Sequence, residues 1–268
     1  MNPGSAALGR APLRLLVPAA VAVALLVVPV AGLVARSPWR RLPELLTEPA
    51  LREALWVSVL TATAATLVCV VIGLPLAWVL ARTASRGRPL LRALVAVPLV
   101  MPPVVAGVAL LAAFGRTGLV GAPLRDLFGV TVPFTTLAVV LAHTFVALPF
   151  FVLSVEGAMR ASNREYDAVA ATLGADRWTT FTRVTLPLVM PGIGAGMLLA
   201  WARSLGEFGA TITFAGNYPG TTQTMPLLIY SRLQSDPPAA YALGLVLLAF
   251  SLLVLAVLRD RWLGELQR

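Results

Sequence analysis

Six stretches of this chain, at about residues 13–35, 54–81, 91–114, 134–155, 187–212 and 239–258, are apolar for about as long as a helix must be to cross a bilayer. Inside hydrocarbon every backbone N–H and C=O must find its partner within the protein, and a helix satisfies each run by itself. The expected fold is therefore all-α and polytopic, with about six transmembrane helices. Composition agrees: 58% of the residues are hydrophobic and only 12% charged, against roughly 25% charged in a soluble domain, and the mean hydropathy is +0.85. The first run follows Arg10 and Arg14, as a signal peptide would. Its apolar length exceeds the usual signal core and no small-residue cleavage site follows, so it counts as a span.

The net charge of +9 would suggest a nucleic-acid partner in a soluble protein. In a membrane protein it reads as arginines held at the membrane surface, and no nucleic-acid partner is expected. Every basic residue is Arg and none is Lys, which reflects base composition and not function. Their distribution orients the chain. With the N-terminus inside, 13 arginines fall in inner segments and 7 in outer ones, and Arg203 lies within a span. The short segment 82–92 carries Arg82, Arg86, Arg88 and Arg92 with no acid, which fixes the sense. Both termini and the loop 162–187 are then expected in the cytoplasm. No repeat or low-complexity tract stands out, and 1–268 reads as one membrane domain.

Residues 162–187, SNREYDAVAATLGADRWTTFTRVTLP, form the longest water-compatible segment between two apolar runs. Ser162 and Glu165 have the spacing of a capping box. Tyr166, Val169, Ala170 and Leu173 form an apolar stripe at helical spacing. Gly174 stands where a helix ends in a left-handed residue, Asp176 can cap a second helix bearing Trp178 and Phe181, and Pro187 biases Leu186 towards an extended backbone. A helix pair so specified is expected to be a docking surface.

Two spans carry irregular features. Pro98, Pro102, Pro103 and Gly107 lie in VPLVMPPVVAG, residues 97–107. Either this is a broken helix lining a substrate path, or it is a kink relieved by a neighbouring helix. Span five ends in WARSLGEFGATITF, residues 201–214, where Arg203 and Glu207 share a helix face. Counting from Pro187 at 1.5 Å per residue puts Arg203 roughly 24 Å along, in the outer half, with Glu207 near the outer interface. Either the pair is an electrostatic element at the mouth of a pathway, or it fixes helix packing. His143 and Cys69 lie inside spans. A satisfied interior histidine and a buried small residue are the simpler readings of each, and a single cysteine excludes disulfide and cysteine-cluster metal sites.

Without lysine the GxxxxGK[ST] phosphate loop is impossible, and HExxH, GxSxG and CxxC are absent. The spans lack the carboxylate chain of a proton-driven carrier. A membrane protein with a docking loop and no energy source of its own points to a subunit driven by a separate ATPase. A stand-alone secondary carrier or channel is the alternative of a different class, and an intramembrane enzyme is a remote third.

The loop resembles the cytoplasmic motif of permease subunits of bacterial ABC importers: EAA, three residues, Gly, nine residues, an aliphatic, one residue, Leu-Pro. Gly174, Val184, Leu186, Pro187 and Ala170 match, Val169 replaces the first alanine, and Ala168 stands at the glutamate position with Asp167 and Glu165 just upstream. PLVMPPVVAG (98–107) and SLGEFGATITFAGNYPGTTQTMPLLIY (204–230) resemble the molybdate branch of the molybdate/sulfate permeases. The resemblance implies a type I importer permease fold, with Tyr166, Ala170, Leu173 and Gly174 in coupling helices seated in a cleft of the ATP-binding subunit. It further implies a homodimer, two ATPase subunits that use ATP and Mg, and an extracytoplasmic oxyanion-binding protein. No cofactor or metal is expected on this chain itself. Pro98, Pro102, Pro103, Arg203, Glu207, Phe208 and Thr211 are the expected pathway or gate residues, with molybdate or tungstate as cargo and sulfate or thiosulfate as the alternative.

Overall fold

A computed structural model describes residues 13–83, 86–163 and 165–263, and all regular structure among them is helical. Arg10, Arg164 and Arg268, which enter the expected charge bias, and both chain termini lie outside the described residues. Proline opens several helices, where its missing N–H is not needed. It stands at the start of α3 (Pro49–Arg82) and α5 (Pro103–Phe114) and in the first turn of α4 (Arg88–Val100). Before these come α1 (Leu13–Arg36) and the short α2 (Leu42–Thr47); after them come α6 (Gly121–Phe128) and α7 (Thr136–Ala161). Among the described residues, five helices are long and apolar enough to cross a membrane, and six if the bent pair α4 and α5 is one span.

The centre of the bundle is α3, α7 and α10 (Leu186–Leu205). Phe151 of α7 is fully buried between Gly73 of α3 and Gly196 of α10; a Cβ on Gly73 would stand 2.8 Å from its ring, and one on Gly196 3.2 Å. Without a hydrophobic force between helices in lipid, such small residues let backbones approach and gain dispersion contact. Gly192 lies against Ala158 and Gly196 against Phe151 and Ser154, so α7 and α10 run antiparallel. By contrast α1 is exposed along its span and meets α13 (Pro237–Leu263), where Leu33 packs on Gly244.

The third apolar run is broken. α4 and α5 meet at 116° across Met101 and Pro102, since Pro102 and Pro103 withhold two successive N–H donors. The fifth run is broken too: α10 stops at Leu205, and a separate α11 (Gly209–Ala215) follows Gly206, Glu207 and Phe208. The single span 187–212 expected from hydropathy is thus two helices, because an apolar count does not register the break at Gly206. The two breaks pack together. A Cβ on Gly209 would lie 2.6 Å from Cβ of Pro103, and one on Gly107 2.6 Å from Cβ of Thr213.

Gly209→Val should therefore force α5 and α11 apart at an overpacking cost of about 1–3 kcal/mol. Thermal unfolding of the detergent-solubilised protein reads this as a lowered midpoint. Gly32→Val, where nothing lies within 4 Å, should leave the midpoint nearly unchanged.

Candidate functional site

The water-compatible loop folds as two short helices, by a route that differs in detail from the expected one. Ser162 and Glu165 do not form a capping box. The Ser162 hydroxyl donates to the Met159 carbonyl at 2.9 Å and accepts from Arg82 Nη2 at 2.8 Å. Asn163 caps instead: its side-chain oxygen accepts from the Glu165 N–H at 3.0 Å, and its amide donates to the Glu165 carboxylate at 2.8 Å. Arg82 is the physical reason, because its guanidinium holds the Ser162 hydroxyl against the bundle.

Helix α8 (Glu165–Thr172) ends in a Schellman turn. Ala175 N–H donates to Ala170 O, Gly174 N–H donates to Ala171 O, and Gly174 has φ +85°. Asp176 caps α9 (Arg177–Thr180), accepting from Thr179 N–H at 2.7 Å. Bonds from the Thr179 side chain and then its backbone hold the Asp176 pKa below the ordinary carboxylate value. With the folded value lowered, this cap is fully present above about pH 4 and is lost as pH falls through the lowered value.

From Phe181 the chain takes a π turn to Thr185, with Leu186 N–H donating to Phe181 O. Leu186 is helical at φ −60° and ψ −47°, not extended. The wider turn accommodates Pro187 without ending the helix, so α9, the π turn and α10 are continuous over Arg177–Leu205.

The stripe 166, 169, 170, 173 divides in two. Ala170 is buried against the bundle. Tyr166, Val169, Leu173 and Trp178 are exposed, Leu173 at 82% and Trp178 at 71%. Gly174 faces open space, Leu186 is half-buried and Pro187 exposed. The two acids differ in their attachments: among the described residues Glu165 bonds to neighbouring Asn163, whereas Asp167 ties the loop to the bundle. Its carboxylate meets Arg82 Nη2 at 3.3 Å and accepts from the Thr185 hydroxyl at 3.0 Å. Sequence reasoning missed Arg82 and Thr185. Arg82 ends an apolar run and reads there as one more inner charge; only the fold brings it to Asp167. Trp78, Arg82, Asp167, Arg177 and Phe181 line a cavity of about 490 Å³ behind the loop.

At the other end of α7 and α10, the structure joins most of the expected pathway residues in one unit. Glu207 is 1% exposed, with Arg203 Nη1 at 2.7 Å from its Oε2. Its Oε1 accepts from Ala210 N–H at 2.8 Å, capping α11. Pro103 packs on Gly209, Phe208 stacks on Tyr230 with ring centroids 5.0 Å apart, and Thr211 is fully buried without a hydrogen-bond partner among the described residues. Pro98 lies apart, within α4. His143 is interior but not satisfied, since neither ring nitrogen has a partner among the described residues. The segment 216–224 and α12 (Met225–Ser235) pack over this end: Met225 N–H donates to the Ser58 hydroxyl at 2.7 Å and the Gln223 amide to the Asn217 side-chain oxygen at 2.9 Å.

An all-helical bundle with a water-exposed helix pair at one end and a paired helix break at the other defines a class. Residues 70–264 match the family described as binding-protein-dependent transport system inner membrane component, and the chain belongs to that family. Among individual proteins it is 50% identical over 237 residues to the molybdenum transport system permease protein ModB of Mycobacterium tuberculosis, covering 88% of this chain and 89% of that one. It is 39% identical over 224 residues to ModB of Escherichia coli K12, covering 84% and 97%. It is also 40% identical over 235 residues to the sulfate transport system permease protein CysT of Escherichia coli K12, covering 86% and 84%. The fold is that of ABC importer permeases: a chain of a bacterial ABC transporter involved in alginate import superposes with a TM-score of 0.75 at 19% identity, over 93% of each chain.

Proposed function

We propose that this chain is the membrane-spanning subunit of an ATP-driven importer for a tetrahedral oxyanion, molybdate or its close analogue tungstate. The observation that carries the ATP-driven part is the exposed apolar face of α8 and α9. Tyr166, Val169, Leu173 and Trp178 stand out from the bundle on a rigidly capped segment, and apolar side chains so grouped mark a protein-binding surface. The partner is a separate ATP-binding subunit that supplies ATP and Mg chemistry, with an extracytoplasmic binding protein delivering cargo to a homodimer of this chain. Both termini and 162–187 then lie on the cytoplasmic side, in keeping with the arginine bias.

Asp167 takes the part of the acid absent at Ala168, transmitting movement of the docked helices through Arg82 to α3 and through Thr185 to α10. Because α10 continues from α9 without a stop, the displacement reaches the Arg203–Glu207 unit roughly 25–30 Å away. Two arrangements of a packed bundle, each favoured by one nucleotide state of the partner, suffice for alternating access. Molybdate is preferred over sulfate on the 50% identity to the mycobacterial permease, since the Escherichia coli molybdenum and sulfate permeases stand equally close to this chain.

The test is uptake of labelled molybdate in cells without their own molybdate permease, expressing this chain with its ATPase and binding protein. Uptake resistant to a large excess of sulfate is expected. Uptake abolished by sulfate would assign the chain to sulfate instead, and uptake without the ATPase would make it a secondary carrier.

A further inference from the structure

Four arginines, Arg86, Arg88, Arg92 and Arg160, rim a groove of about 870 Å³ at the start of α4, on the side of the bundle that carries α8. The groove is built around a carboxylate. Glu156 of α7 is 1% exposed and holds Arg160 Nη2 at 2.6 Å and Arg92 Nε at 3.5 Å. Two guanidinium groups are thereby fixed at the rim at the expense of one buried charge. Arg86 and Arg88 make no ion pair among the described residues, so three positive charges are left in excess of the one acid.

Between these charges the groove wall is apolar: Pro89, Ala93 and Ala96 stand on the same face of α4 as Arg88 and Arg92. The polar rim sits where the apolar run of α4 begins. A free inorganic anion would use the arginines and leave this apolar wall idle. A molecule with an anionic head and a hydrocarbon tail satisfies both halves.

We propose that this groove is a binding site for an acidic phospholipid of the leaflet facing α8. Its phosphate lies between Arg86, Arg88 and Arg92, and an acyl chain follows Pro89, Ala93 and Ala96. Basic pockets at helix ends take such headgroups through charge-assisted hydrogen bonds. The inference is independent of which oxyanion is transported.

The experiment is native mass spectrometry of the full-length chain in detergent, offered equal amounts of phosphatidylglycerol and phosphatidylcholine with identical acyl chains. The wild-type chain should retain phosphatidylglycerol about tenfold over phosphatidylcholine. The double variant Arg86→Gln/Arg88→Gln should lose that preference with a nearly unchanged thermal midpoint, because neither side chain makes an ion pair among the described residues. Arg125→Gln, on α6 and paired only with Asp126, should keep it. Equal retention of the two lipids by the wild type, or an unaltered preference in the double variant, would overturn the proposal. Displacement of phosphatidylglycerol by sodium molybdate would overturn it in favour of a free-anion site.

Discussion

Uptake should fall by more than about tenfold when Gly174 becomes Asp, with the chain still folded and inserted. The two halves of this expectation have separate causes. Gly174 sits at φ +85° with nothing within 4 Å of its would-be Cβ, so the substitution meets no steric wall within the chain. Its backbone cost is that of a left-handed residue, about 1–2 kcal/mol, and Asp is among the side chains that tolerate it. The effect arises outside the chain, where a carboxylate beside Leu173 would be buried unpaired against the ATPase at a cost of several kcal/mol. Gly174→Asn carries the same strain without the charge and should retain most uptake. Co-purification of the ATPase with each variant provides the second measurement. Undiminished uptake and association in the Asp variant would show that this face is not the dock.

The second large effect is expected at Glu207. Removing its carboxylate in Glu207→Ala leaves Arg203 without its partner and α11 without its cap, at a cost of about 2–4 kcal/mol. Arg203 keeps 28% of its side chain exposed and can recover some hydration, which places the cost at the lower end. The informative variant is the double one, Arg203→Leu/Glu207→Leu. A buried pair replaced by apolar side chains of similar volume loses little stability and can gain some. If the pair serves packing alone, the double variant should recover both its thermal midpoint and its uptake. If Arg203 meets the passing oxyanion, the midpoint should return while uptake stays lost.

Much of the fold and of the docking segment was legible in the sequence because its signals are local. Hydropathy over 20 residues marks a span, glycine at 174 marks a left-handed turn, and aspartate at 176 marks a cap; none of these needs a distant residue. The prolines at 102 and 103 likewise offered either a break or a kink, and the structure shows a break bent by 116°. What local reading missed involved competition or distance. Ser162 was available as a cap until Arg82, 80 residues away, took its hydroxyl. Leu186 before proline was expected to be extended, but a π turn absorbed the ring and kept the helix continuous. Glu207 was read on one helix with Arg203, and the break after Leu205 instead lets its carboxylate accept from the Ala210 N–H of the next helix.

The sequence by itself thus determined that the chain lies in a membrane, how many apolar segments it has, that the third carries a cluster of helix-breaking prolines and that 162–187 is built for water. Each of these follows from the solvent preference or the backbone freedom of residues close in the chain. Only the tertiary structure decided that the two interruptions form one packed unit, that Asp167 and not Glu165 fastens the helix pair to the bundle, and that Arg203 and Glu207 close a helix end. Those outcomes depend on which of several competing partners reaches a given donor or carboxylate first in space, and spacing along the chain carries no record of it.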